Sequence, residues 1–355
     1  MAVTRSINYL HRECKRCIAF LLMLALLPVS CSRSLPGMKV LETEQREGYT
    51  CMLVEYPVHD GELVQSYLLV PDGASRKDPR AGLVLLHDHG ARFDIGKEKL
   101  VRPLSSAPEY TRRSAEQWSS NFDGVYFGDR LAAEGYVVIV PDQRYWGSRS
   151  TELTQQYARM QFAGEPGDLK AVKDAVYEGQ RAVYDSLATL GIIWAEQTMQ
   201  EDSTAAALLA GLDCVDAGRI GAFGWSMGAH RSWMLTGFCP LVKTGVALCW
   251  MTLKETVALP LKASDYSMYI PRLRDNYDFP DIARKLAPKP YLFLAGTQDK
   301  LFPVWSVEAA YERMQAIYAE AGAPEALRTE FFEGPHHCGL EVQERIIAFF
   351  DETLR

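Results

Sequence analysis

Gly224-Trp225-Ser226-Met227-Gly228 sets a serine between two glycines. A serine hydroxyl is a weak nucleophile until it is exposed on a sharp turn and given a base to take its proton. Arg219-Ile220-Gly221-Ala222-Phe223 leads in as a short buried strand would, and small residues follow as in a helix. A strand-to-helix turn needs flanking glycines to relieve crowding, and it offers the N–H of the next residue, Met227, to a developing oxyanion. The pattern alone also fits a glycine-rich turn with an incidental serine. The residues downstream favour chemistry.

A catalytic serine needs a histidine, and the histidine needs an acid to fix its tautomer. Residues 290–296 form an apolar run ending in Gly296, and Asp299 follows three positions later. An acid just past the carboxyl end of a strand lies where an open α/β sheet builds its site. Residues 328–333 read as another strand, followed by Gly334-Pro335-His336-His337-Cys338-Gly339. Serine, acid and histidine therefore occur in order, each after its own strand, with two adjacent histidines as candidate bases.

On these motifs the chain resembles the α/β-hydrolases grouped as dienelactone hydrolase-like and acetyl xylan esterase-like proteins. Leu86-His87-Asp88-His89-Gly90-Ala91 and residues 121–129 carry the resemblance further, so that it spans about residues 50–355. It implies a Ser226, Asp299 and His336 triad, because the family's base directly follows a Gly or Pro at the end of the last strand. Many relatives carry an aromatic residue two places after that histidine, where this chain has Cys338. The oxyanion donors implied are the amides of Met227 and Ala91. The activity implied is hydrolysis of carboxylic esters, glycan deacetylation foremost, with a peptidase or lactone hydrolase on the same triad as the alternative. A non-catalytic envelope protein using the fold as a binding platform is the reading from another class. The triad mechanism calls for no cofactor and no metal.

His87 and His89, two positions apart, could instead hold a zinc ion with His230, His336 or His337 as a third ligand. No H-E-x-x-H companion is present. The reading kept is that they hold the oxyanion loop by hydrogen bonds. Aromatic residues near the rim, Trp146, Trp225, Trp250, Tyr266, Tyr269 and Tyr277, either offer faces to sugar rings or pack loops onto the body. Trp225, Trp146 and His89 are taken as the substrate-binding set.

These groups need a frame. Residues 50–56 and 64–70 read as an antiparallel pair, and strands recur near 83–86, 136–140, 220–223, 246–250, 291–294 and 328–332. Val307, Ala310, Tyr311, Met314, Ile317 and Tyr318 keep a helical stripe, and Val342, Ile346 and Phe350 an i, i+4 spacing in a last helix. Alternating strands and helices give an α/β class: the α/β-hydrolase fold, a mostly parallel central sheet with helices on both faces. Insertions at 96–120, 145–149 and 264–279 are expected at the active-site rim. No segment has the size of a β-propeller.

The amino terminus has a basic stretch, Arg5, Arg12, Lys15 and Arg16, before a 12-residue apolar run at 18–29. That run is short for a bilayer span and fits a signal-peptide core. Pro28-Val29-Ser30-Cys31 resembles a bacterial lipoprotein cleavage site with Pro28 where Leu is preferred; ordinary cleavage near Ser30 is the competing reading. The expected organisation is a signal at 1–31, a tether at 32–48 and one hydrolase domain at 49–355. The expected location is the bacterial envelope, periplasmic or attached to a membrane through lipidated Cys31. Loss of the signal takes the net charge from -7 to about -10, which gives no electrostatic reason to bind nucleic acid. Of eight cysteines, five remain beyond Cys31, an odd number without close spacing and so no disulfide framework.

Overall fold

The computed structural model describes residues 37–256, 266–270 and 277–355. The signal at 1–31, Cys31 and the first residues of the tether lie outside them. The strands are β1 (Lys39–Arg46), β2 (Tyr49–Pro57), β3 (Leu63–Pro71), β4 (Arg80–Leu86), β5 (Val137–Pro141), β6 (Val215–Trp225), β7 (Thr244–Leu248), β8 (Tyr291–Gly296) and β9 (Leu327–Phe332). They form one sheet in the order β1-β2-β3-β5-β4-β6-β7-β8-β9. The first four in that order pair antiparallel, and from β5 to β9 every pairing is parallel. β1 falls inside the segment expected to be a tether, so the sheet begins ten residues before the boundary at 49.

Period-2 alternation divides the inner strands between two cores. Leu83, Leu85, Phe223, Val246, Leu248, Leu292 and Leu294 face one side, packed with Phe127 and Leu131 of α2 (Phe127–Ala133) and Ile346 and Phe350 of the last helix. Val84, Leu86 and Ala222 face the other, against Ala205, Ala206 and Leu209 of the helix Trp194–Ala210 and Leu235 of the helix after Ser226. Tyr291, Phe293 and Ala295 continue that face, covered by Val307, Tyr311 and Met314. Both faces are thus buried, as near-continuous apolar strands require.

In chain order the remaining helices longer than four residues are α1 (Glu109–Ser119), before α2, then α3 (Glu152–Ala163), α4 (Leu169–Thr189), α5 (Trp194–Ala210), α6 (Met227–Phe238), α7 (Val304–Glu320) and α8 (Leu340–Leu354). None of the described helices is long and apolar enough to cross a membrane. Cys51, Cys214, Cys239, Cys249 and Cys338 are all free thiols.

Candidate active site

The loops that carry the residues expected to do chemistry, and the one that carries Cys249, follow the carboxyl ends of parallel strands, so the sheet delivers them to one edge. His87 to Ala91 follows β4, Asp142 to Trp146 follows β5, and Ser226 follows β6. Cys249 follows β7, Asp299 β8 and His336 β9.

Ser226 joins β6 to α6 with φ 56° and ψ −125°, a conformation that L-residues adopt only under constraint. The constraint is packing. A Cβ on Gly224 would lie 1.8 Å from the Gly228 carbonyl oxygen, and one on Gly228 would lie 1.8 Å from the carbonyl oxygen of Leu86. The Ser226 N–H donates to Leu248 O at 2.8 Å, pinning the turn to β7. From Ile220 to Thr236 only Ser226 is not buried.

His336 Nδ1 lies 2.7 Å from Asp299 Oδ2, and Asp299 Oδ1 accepts the Leu301 N–H at 2.8 Å. The Thr297 N–H donates to Phe332 O and the Gln298 N–H to Gly334 O, so the acid loop and the histidine loop are stitched together. The His336 ring packs between Trp225, at 5.3 Å, and Phe302, at 6.1 Å. His337 belongs elsewhere: its Nε2 is 2.8 Å from Asp123 Oδ1, while Asp123 Oδ2 accepts the Leu340 N–H at the start of α8. Cys249 joins the pair, its sulfur within 4.8 Å of the facing atoms of Asp299 and His336. Burial, reinforced by the Asp299 carboxylate, pushes the Cys249 thiol far up and keeps it protonated.

The loop after β4 departs from expectation. Ala91, φ 52°, turns its N–H onto His89 Nδ1 at 2.9 Å. This amide is engaged within the loop, which corrects its assignment as an oxyanion donor. Because Nδ1 accepts, neutral His89 carries its proton on Nε2, and the Gln180 side-chain amide nitrogen of α4 lies 3.5 Å from that Nε2. Burial drives the His89 pKa down to about 3 and that of His87 well below its usual range, so both rings are neutral. His87 Nδ1 donates to Asp88 O and its Nε2 accepts the Gln143 N–H. Both nitrogens of His87 are thus taken up by backbone. Among the described residues, groupings with metal-ligand geometry include neither His87 nor His89.

Trp146 is fully buried and donates from Nε1 to His89 O at 3.1 Å. It braces the loop and offers no face to a sugar, a correction to its expected substrate contact. Trp225 is also buried, against Phe122 and Trp118 as well as His336. Trp250 packs on His230, Trp233, Phe279 and Phe302. Tyr266 and Tyr269 lie against Tyr184 of α4 at 5.1 and 6.4 Å, and Ser267 Oγ reaches the Met227 sulfur at 3.3 Å. The described part of the third insertion therefore reaches the residue beside Ser226.

Sequence reasoning missed the buried charges beneath the loop. Lys97, Glu98 and Lys99, at the start of the insertion expected at the rim, are buried. Lys97 Nζ pairs with Asp142 at 2.7 Å and Glu98 at 2.8 Å; burial disfavours its charge, but the two carboxylates outweigh it and raise its pKa. Nothing in a K-E-K triplet distinguishes this from a surface loop.

No protein-family model matches the chain. The Bacillus subtilis protein YtaP, provisionally named a hydrolase, is 23% identical over 322 residues, 90% of this chain and 93% of its own length. A Bacteroides fragilis structure provisionally named an acetyl xylan esterase superposes with a TM-score of 0.62 at 18% identity, covering 86% of this chain and 72% of its own. A glucuronoyl esterase from Solibacter usitatus does so with a TM-score of 0.58 at 14% identity, over 94% and 91%. With the sheet order and both faces helically covered, these matches establish that the chain has the α/β-hydrolase fold.

Proposed function

We propose that the protein is a serine hydrolase of carboxylic esters, a carbohydrate (acetyl) esterase that itself resides in the cell envelope. One observation carries this reading: a serine held at φ 56° on a strand–helix turn, at the same sheet edge as a histidine locked to a carboxylate 2.7 Å away. Ser226 Oγ attacks the ester carbonyl while His336 Nε2 takes its proton. Asp299 holds Nδ1–H and stabilises the imidazolium. The tetrahedral oxyanion is received by the Met227 N–H and by an amide of the His89-Gly90 loop. His336 then protonates the departing alkoxide, and water releases the acid by the reverse path.

The names of the structural relatives, an acetyl xylan esterase and a glucuronoyl esterase, support a sugar ester as substrate. The basic and apolar run at the amino terminus supports export, with Cys31 as a lipid attachment point. The test is hydrolysis of p-nitrophenyl acetate by the wild type, Ser226→Ala and His336→Ala. Each variant is expected to lose roughly 10⁴-fold or more in kcat. Wild-type rates in Ser226→Ala would exclude the mechanism.

A further inference from the structure

We propose that Lys99 is a positioning residue that sets the oxyanion loop so that Gly90, not Ala91, presents the second amide; this rests on the serine-esterase reading above. The Lys99 side chain has no solvent exposure. Its ammonium donates to Asp88 O at 2.8 Å and to His89 O at 2.8 Å, and faces Asp88 Oδ2 at 3.4 Å. Three N–H bonds thus meet three acceptors, all on the His87-Asp88-His89 segment. Nζ also lies 5.1 Å over the Trp118 ring, and Trp118 Nε1 donates to Asp88 Oδ1 at 3.1 Å.

The peptide plane converts these contacts into a direction. The His89–Gly90 bond is trans, so its C=O and N–H point opposite ways. The His89 carbonyl is held from within by two donors, Lys99 Nζ and Trp146 Nε1. The Gly90 N–H must therefore face away from Lys99, and among the described residues no group accepts it. The Ala91 N–H is already committed to His89 Nδ1. A donor pulling on the carbonyl polarises the same amide and strengthens its N–H as a donor. Residue 90 must also lack a side chain: a Cβ there would lie 2.2 Å from Trp118 and 2.5 Å from Asp88 Oδ2.

Burying an ammonium is costly. Burial draws the Lys99 pKa down to about 8, against the pull of Asp88 and Asp94, which still leaves it charged at neutral pH. The Asp88 carboxylate 3.4 Å away holds that charge, and the geometry of the two carbonyl contacts is what directs the amide.

The experiment compares wild type, Ser226→Ala, Lys99→Met and Trp146→Phe, full chains, by steady-state kinetics on p-nitrophenyl acetate and by inhibition with a trifluoromethyl ketone. Lys99→Met is expected to lower kcat about 100-fold, the scale of losing one oxyanion donor, with KM within about threefold. Inhibitor affinity should fall by a similar factor. Trp146→Phe removes the second donor to the same carbonyl and is expected to lose about 5–10-fold in kcat, again at constant KM. It decides the matter if Lys99→Met does not fold. Wild-type kcat in the folded variants, or a rise in KM with inhibitor affinity unchanged, overturns this proposal alone. A wild type without Ser226-dependent activity overturns the esterase reading and this proposal with it.

Discussion

At the scale of single residues the site depends on which acid holds which histidine. Asp299 spends one carboxylate oxygen on His336 and the other on the Leu301 amide, so its orientation is fixed before any substrate arrives. An asparagine of the same shape would keep the loop but let the imidazole settle in the wrong tautomer, with its proton on the nitrogen that should act as base. Asp299→Asn is expected to lower kcat by roughly 10⁴ while leaving KM and the melting temperature close to wild type. His337 answers to Asp123 instead, so His337→Ala should keep kcat within about threefold. Steady-state kinetics on the two variants check this; near-normal kcat in Asp299→Asn would remove Asp299 from the mechanism. The protonated Cys249 beside the pair cannot replace the carboxylate as an anion.

At the scale of elements, the turn between β6 and α6 works only because two glycines let backbone meet backbone. Gly228 brings α6 against the last residue of β4, with no room for a methyl group. Gly228→Ala should push the helix off the strand, moving the Met227 amide and Ser226 together. We expect a cost of about 1–3 kcal/mol in stability from overpacking and a loss of at least about 100-fold in kcat. Thermal melts and kinetics of this variant test it, and wild-type values in both would show that the turn tolerates side chains. The inner strands and this turn were legible in the sequence because burial on both faces leaves apolar runs punctuated by glycine. β1, KVLETEQR, was not: as an edge strand it is mostly exposed and carries no apolar alternation. The same blindness applies to Lys97, Glu98 and Lys99, whose partners Asp88 and Asp142 lie on other loops. Trp146 was expected at the rim as a substrate contact and instead lies buried as a brace, since aromatic type alone does not tell a sugar platform from a brace. The helical pair α3 and α4 reaches the site through Gln180, a glutamine that no motif marks.

At the scale of the molecule, buried ion pairs tie the antiparallel start of the sheet to the helices behind the parallel strands. Glu201 of α5 is buried and bound by Arg149, from the loop after β5, and by His59, from the turn between β2 and β3. Arg149 in turn shares Glu62 with Arg144. Burial alone would raise the Glu201 pKa, but the His59 and Arg149 contacts outweigh it and hold it at about 2, below its ordinary 4.5. Between those values the unfolded chain binds a proton that the folded chain refuses, so folding stability rises with pH across the window. The contribution is complete above pH 4.5 and disappears as pH falls towards 2. At 1.36 kcal/mol per pH unit it amounts to about 3 kcal/mol. Urea denaturation from pH 5 to pH 2 should therefore show a steeper loss of stability in the wild type than in Glu201→Gln, by about that amount. The variant should already be weaker at pH 7, because it leaves Arg149 without its buried partner charge. Parallel acid profiles for the two proteins would mean that Glu201 is not the group through which acid separates α5 from the hairpin.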